Sequence, residues 1–182
     1  MPNLLSHGNT HLRRPARTAA NFEHRGICTV TYLEHLGVRR RVIVTNERPS
    51  QLVSLSDTTL VLFVAAPLAA EASSVLARWQ EREARRYLTA RVRALSEKTG
   101  LTARRLSFRR QRSRWGSCNH CGDVSLNLGL MALPPELIDY VIIHELSHTK
   151  HMNHSKAFWR EVQCHCPYAK RLDKALRKKR HP

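Results

Sequence analysis

Acidic residues are scarce in this chain. Over 182 residues, 14 Asp and Glu stand against 31 Lys and Arg, a formal net charge of +17. Such an excess suits contact with polyanions or acidic surfaces, and it bears on association and solubility rather than on fold. No apolar run approaches the ~18 residues of a membrane span, so a soluble protein is expected. The cysteines Cys28, Cys118, Cys121, Cys164 and Cys166 are too few to staple a scaffold of this length, and no apolar signal segment precedes them. A reducing cytoplasm is therefore the expected setting. Aromatic residues make up only 6 % of the chain, too sparse for a dedicated base-stacking platform. There is no internal repeat, and the length suits one domain.

Residues 1–25 are basic, hold no acidic residue before Glu23 and show no hydrophobic period, which predicts a disordered tail. An organellar transit peptide shares the Arg-rich, acid-poor composition, but no amphipathic stripe is present. The domain is expected over 26–182. Its first part, 26–66, is β-branched and broken by turn residues near Gly37, Asn46 to Ser50 and Ser56-Asp57, which predicts three or four antiparallel strands. From 67 to 100 the spacing of Leu76, Trp79, Ala84, Tyr87, Leu88, Val92 and Leu95 predicts one long helix, stopped by Gly100. In the last part, 101–182, alternation at Leu106 and Phe108 and again at Val124, Leu126 and Leu128 predicts a hairpin with "GSCNHCGD" as its loop. Pro134 and Pro135 suit the first turn of a helix, and "LIDYVII" is apolar nearly all round, the mark of a buried one. Ser155 is placed to cap a helix through Cys164, and "YAKRLDKALRKKR" reads as a final basic helix. The fold class is thus α+β: an antiparallel β segment, a long helix, then a core with a hairpin and a buried helix.

That buried helix runs into "HELSHTKHMNH". His144, Glu145 and His148 spell H-E-x-x-H, and residues four apart lie on one helical face, so both imidazoles can reach a single ion. Zinc favours nitrogen donors and, in catalytic sites, three protein ligands plus a water. Glu145 lies where its carboxylate can take a proton from that water. Left unpaired in an apolar helix, these polar groups would cost several kcal/mol, and metal coordination is one way to satisfy them. For a third ligand, His151 lies about 10.5 Å along a continuous helix from His144, too far to share an ion. His154 returns to the site only if the chain breaks, and Met152-Asn153 supplies a break because Asn tolerates the left-handed conformation. His154 is the first candidate, Glu161 the second and His151 the last. The H-x9-H spacing from His144 to His154 also matches the metzincin motif, with His151 in place of its usual Gly.

"RWGSC" at 114–118, "VSLNLGLMALP" at 124–134 and "YVIIHELSHTKHMNHSKAFW" at 140–159, behind a long helix, resemble the YgjP-like zinc metallopeptidase family, which is related to the SprT-like proteases. The resemblance spans roughly 26 to 180 and implies a zincin-like core, Zn2+ held by His144, His148 and His154, and Glu145 as general base. It implies a peptide or protein substrate pairing along an edge strand built from "RWGSC" and "VSLN". Gly116 would let a backbone approach closely, Asn127 would bond to substrate or to a turn, and Arg114 is the residue to test beside the metal. One branch of the family also brings a nucleoside triphosphate pyrophosphatase reading, with hairpin arginines such as Arg109 and Arg112 on the phosphates. Against it stand the absence of a carboxylate cluster for magnesium and of a phosphate-cradling Gly loop.

A basic nucleic-acid-binding protein with a structural zinc is the remaining reading. Cys118 and Cys121 have knuckle spacing but no second C-x2-C, and Cys164 and Cys166 are too close together to be a standard partner. Cys118 or Cys164 could still close a four-ligand site. Basic residues gather on the long helix, on the 104–114 stretch and in the 170–180 tail, where a phosphate backbone could lie non-specifically. No helix-turn-helix or RNA-recognition pattern is present to read sequence.

Overall fold

Among the described residues two small sheets, four α-helices and one short 3-10 helix follow one another: β1 (Ile27–His35), β2 (Val38–Thr45), β3 (Gln51–Ser54), β4 (Thr59–Phe63), α1 (Ala72–Thr99), β5 (Arg105–Arg109), β6 (Gly116–Cys118), β7 (Asp123–Asn127), the 3-10 helix (Leu128–Ala132), α2 (Pro135–Ser147), α3 (Lys156–His165) and α4 (Ala169–Arg177). The computed structural model describes residues 27–45, 51–54, 59–63 and 72–179. The expected tail (1–25) and the turns expected near 46–50 and 56–57 lie outside the described residues. The mixed α+β class is as the sequence predicts. No described helix is long and apolar enough to cross a membrane.

The first sheet has the order β1-β2-β4-β3. β1 pairs with β2 and β3 with β4 in antiparallel fashion, but β2 and β4 run parallel. The expectation of antiparallel pairing throughout therefore fails at one seam. A tight hairpin can join only antiparallel neighbours, and here β3 lies in the connection that brings β4 alongside β2. The β1–β2 turn is the predicted one, with Leu36 and Gly37 both at positive φ (52° and 76°). It docks on the rest of the chain, as the Leu36 N–H donates to the Met131 carbonyl at 2.6 Å. A Cβ on Gly37 would stand 2.8 Å from Pro134 Cα, so this glycine meets both a torsional and a steric demand.

On α1, Ala84, Leu88, Val92 and Leu95 turn inward at helical spacing. Arg91 reaches across to Asp139 of α2 through two bonds of 2.5 Å. Gly100, at φ +72°, ends the helix with its N–H on the Ser96 carbonyl.

The second sheet has the order β5-β7-β6. β5 and β7 run parallel, with Leu106 beside Val124 and Phe108 beside Leu126, while β6 and β7 are antiparallel. The predicted hairpin between the 106–108 and 124–128 runs is thus corrected. The true hairpin is β6–β7, and "RWGSC" supplies its first arm instead of a loop. Alternation within β5 and β7 was real, but alternation carries no information on strand direction. Asn119 closes this hairpin, its side-chain oxygen accepting the Cys121 and Asp123 N–H groups.

Gly37→Val should weaken the docking of the first sheet. A β-branched residue at that φ, colliding with Pro134, is expected to cost about 2 kcal/mol or more. Thermal unfolding and limited proteolysis would register this as a lower Tm and earlier cleavage in 27–45. A wild-type melt would refute the docking role of this turn.

Candidate metal centre

α2 opens on Pro134-Pro135 and passes through the core, with Leu137, Ile138, Tyr140, Val141, Ile142, Ile143 and Leu146 all buried. Apolar packing on nearly every side fixes where its last turn ends. That turn carries His144, Glu145 and, at the cap, His148, of which Glu145 and His148 are only 7 % and 8 % exposed. The helix releases at Ser147. Turn-type bonds carry the chain on, with Thr149 N–H donating to Leu146 O and His151 N–H to Ser147 O. A bend then falls at Met152-Asn153. The predicted break is at the predicted place, but its predicted cause is corrected: Leu36 is the one non-glycine described residue at positive φ, so Asn153 is not left-handed. Ser155 caps α3 as its sequence suggests, accepting from Phe158 N–H at 3.3 Å.

This reversal returns His154 to α2. His154 Nε2 lies 3.1 Å from His144 Nε2, and one nitrogen of each of His144, His148 and His154 falls within 4.8 Å of the others, a set that could hold a metal ion. Two further candidates are elsewhere. Glu161 commits its carboxylate to Lys150 and His165, at 2.9 and 3.1 Å. His151 contributes its backbone carbonyl, which accepts from His148 Nδ1 at 3.0 Å. That bond turns Nε2 of His148 towards the cluster, as a second partner commonly does for a ligating histidine. Among the described residues the metal-competent group consists of these three histidines, without Cys118, Cys121 or Cys164.

Burial, followed by the neighbouring His148 and His154, pushes His144 down to about 4, so its ring is neutral at pH 7 with a lone pair to offer. Burial also lowers His148. The donor set fits a borderline-soft divalent cation such as zinc: three imidazoles and an open side. Burial pushes Glu145 up to about 7, against the opposing pull of Arg114. Beneath the cluster lies Phe158, fully buried, stacked on His148 at 4.5 Å and edge-on to His144 and His154 at 4.9 and 4.7 Å. Tyr140, one turn before His144, donates to Asp173 of α4 at 3.0 Å and lies 3.5 Å from His144 Nδ1. Sequence reading missed Phe158, Tyr140 and Asp173; the i,i+4 spacing of Tyr140 and His144 was the available signal.

The remaining predicted residues come from the second sheet. Gly116 lies on β6 against Glu145, where a Cβ would meet Glu145 Cγ at 2.7 Å and Oε1 at 2.8 Å. The close approach predicted for Gly116 is real, but the group that approaches is the Glu145 carboxylate. Of the two roles expected of Asn127, substrate or turn, its geometry is that of the turn. Asn127 is 1 % exposed, its amide nitrogen donates to the Gln111 and Arg114 carbonyls at 2.7 and 2.8 Å, and its oxygen accepts from Gly129 N–H. With both ends of the amide engaged, Asn127 holds the 111–114 segment and has nothing to offer a substrate. Arg114 is exposed and lines a cleft of about 530 Å³ with Gly116, Cys118, Glu145 and the three histidines. Burial and the nearby Glu145 push the Cys118 thiol up to about 11, so it stays protonated.

A buried His-Glu-x-x-His helix, a third histidine returned by a turn and a small sheet beside the carboxylate make up a metallohydrolase-type centre. Residues 7–179 match the family described as YgjP-like, metallopeptidase domain, and the chain belongs to that family. It is a peptidase by that membership. Among solved structures, the metallopeptidase zymogen abylysin of Pyrococcus abyssi is similar at 23 % identity and a TM-score of 0.44, over 49 % of this chain and 90 % of that one. The metallopeptidase zymogen jannalysin of Methanocaldococcus jannaschii is similar at 18 % identity and a TM-score of 0.43, over 49 % and 92 %. A comparison with curated proteins finds no match.

Two substitutions test this geometry. Gly116→Ala should preserve the circular dichroism spectrum and cut peptide turnover on the order of 100-fold, because an ångström of displacement at Glu145 spoils its alignment; unchanged turnover would show that Glu145 is not held there. Asn127→Ala strands two carbonyls and one N–H and should cost about 3 kcal/mol in denaturant unfolding. A stability loss below about 1 kcal/mol would contradict its holding role.

Proposed function

We propose that the chain is a zinc-dependent metallopeptidase, a single domain over 26–182, in which His144, His148 and His154 hold Zn2+ and Glu145 is the general base. The observation that carries this reading is the meeting of three imidazole nitrogens within 4.8 Å beside a buried carboxylate. When bound there, zinc would supply Lewis-acid polarisation of the scissile carbonyl and acidify a water. Glu145 accepts the proton of the attacking water and passes it to the departing amine nitrogen. Gly116 leaves room for the carboxylate to lie flat against β6.

β6 is an edge of its sheet, open for an extended peptide to add as a further strand. Arg114, which lines the cleft and acts electrostatically on Glu145, is our candidate for stabilising negative charge there. The pyrophosphatase reading has less support, because the described residues gather no carboxylates for magnesium. Cys118, Cys121, Cys164 and Cys166 are free thiols, which accords with a cytoplasmic setting.

Elemental analysis of wild type, His154→Ala and Glu145→Gln is the test. One zinc per chain is expected in wild type and Glu145→Gln, with His154→Ala depleted and only wild type cleaving peptides. Zinc indifferent to His154, or full cleavage by Glu145→Gln, would refute the assignment.

A further inference from the structure

Resting on that peptidase reading, we propose that the outer face of the second sheet is a substrate subsite for acidic side chains, with Arg105 and Arg109 as its specificity-determining residues. On β5, Leu106 and Phe108 turn towards the core, so Arg105, Ser107 and Arg109 all stand on the opposite face. The strand register sets Ser107 and Ser117 on either side of Ser125, a polar row running from β5 to β6. Together they line a groove of about 450 Å³. Arg114, Ser117 and Cys118 belong both to this groove and to the metal cleft, so the two are continuous around β6.

The groove carries more positive than negative charge, with Arg105, Arg109 and Arg114 against Asp123. Some arginines outside the groove are paired with carboxylates: Arg85 with Glu81, Arg86 with Glu83, Arg91 with Asp139 and Arg177 with Asp173. Arg109 and Arg114 form no ion pair among the described residues. The carboxylate lining the groove, Asp123, takes Arg104 at 2.7 Å and Asn119 at 3.2 Å on Oδ2, while its Oδ1 has no hydrogen-bond partner among the described residues; one carboxylate already shared with Arg104 offsets Arg105 opposite and leaves Arg109 and Arg114 in excess. On the floor, Ser125 Oγ has no hydrogen-bond partner among the described residues.

A peptide added to the β6 edge would alternate its side chains between the metal face and this face. Those on this face meet Ser117 and Arg114 beside β6 first, and across β7 the long side chains of Arg105 and Arg109, a chemistry that matches Glu and Asp. The groove holds no aromatic ring on which a nucleobase could stack, which favours a peptide over single-stranded nucleic acid.

The test uses fluorescein-labelled peptides, matched except for Glu, Gln or Lys at alternate positions. Their binding to Glu145→Gln protein is read by anisotropy, with and without the further double substitution Arg105→Ala/Arg109→Ala; wild-type cleavage is measured in parallel. The Glu peptide should bind about tenfold tighter than the Gln peptide, lose that advantage in high salt and lose it in the double variant, whose affinity for the Gln peptide stays unchanged. Equal binding of Glu and Gln peptides, or a preference that survives the double substitution, would overturn the proposal. So would a DNA duplex whose binding drops in the double variant while no peptide preference exists, which would assign the face to nucleic acid. Charge-selective binding with no cleavage of any peptide by zinc-loaded wild type would uphold the subsite and refute the peptidase reading instead.

Discussion

Desolvation of α2 is the constraint on which the rest of the site depends. An apolar helix buried on nearly all sides ends in two imidazoles and a carboxylate, and taking these polar groups from water is costly unless each is given a partner. The elements around the helix end both enclose these groups and meet part of that cost. Phe158 packs under the rings, the His151 carbonyl takes up Nδ1 of His148, and β6 lies against Glu145 with a glycine where any side chain would collide. The same burial that makes the site expensive tunes it, by keeping His144 neutral and raising the proton affinity of Glu145. On a well-solvated surface helix His144 would be partly protonated at pH 7 and Glu145 fully ionised.

The second sheet works as support on one face and as a polar surface on the other. Towards α2 it presents Val124, Leu126 and the bare backbone of Gly116; outward it presents hydroxyls and guanidiniums. Asn127, at the end of β7, ties the 111–114 segment to the strand and so decides where Arg114 enters the cleft. A side chain that looked available to a substrate is therefore a fixed part of the frame. The first sheet is joined to this frame through Leu36 and Gly37, whose turn docks at Met131 and Pro134.

Much of this was legible in the residues, and the illegible parts share a cause. α1, α2 and α3 were readable because helices announce themselves within a few turns, through spacing, proline at the start and Ser155 at a cap. Parallel pairing of β2 with β4 and of β5 with β7 was not readable, because pairing joins residues far apart in sequence and alternation is identical for either direction. Phe158 beneath the histidines was hidden for the same reason. It lies on a separate helix, and the turn through Met152-Asn153 alone sets its distance from α2.

The sequence by itself determined the donor types and their grouping: two histidines and a glutamate on one helical face, with a third histidine beyond a break. Helical periodicity is a local property of the backbone, so this much needs no knowledge of the rest of the chain. Tertiary structure alone decided which of His151, His154 and Glu161 turns back to the pair, what occupies the space at Gly116, and that Asn127 is spent on backbone carbonyls. Each of those outcomes depends on contacts between elements, where the burial of one surface against another sets the distances and no local pattern records them.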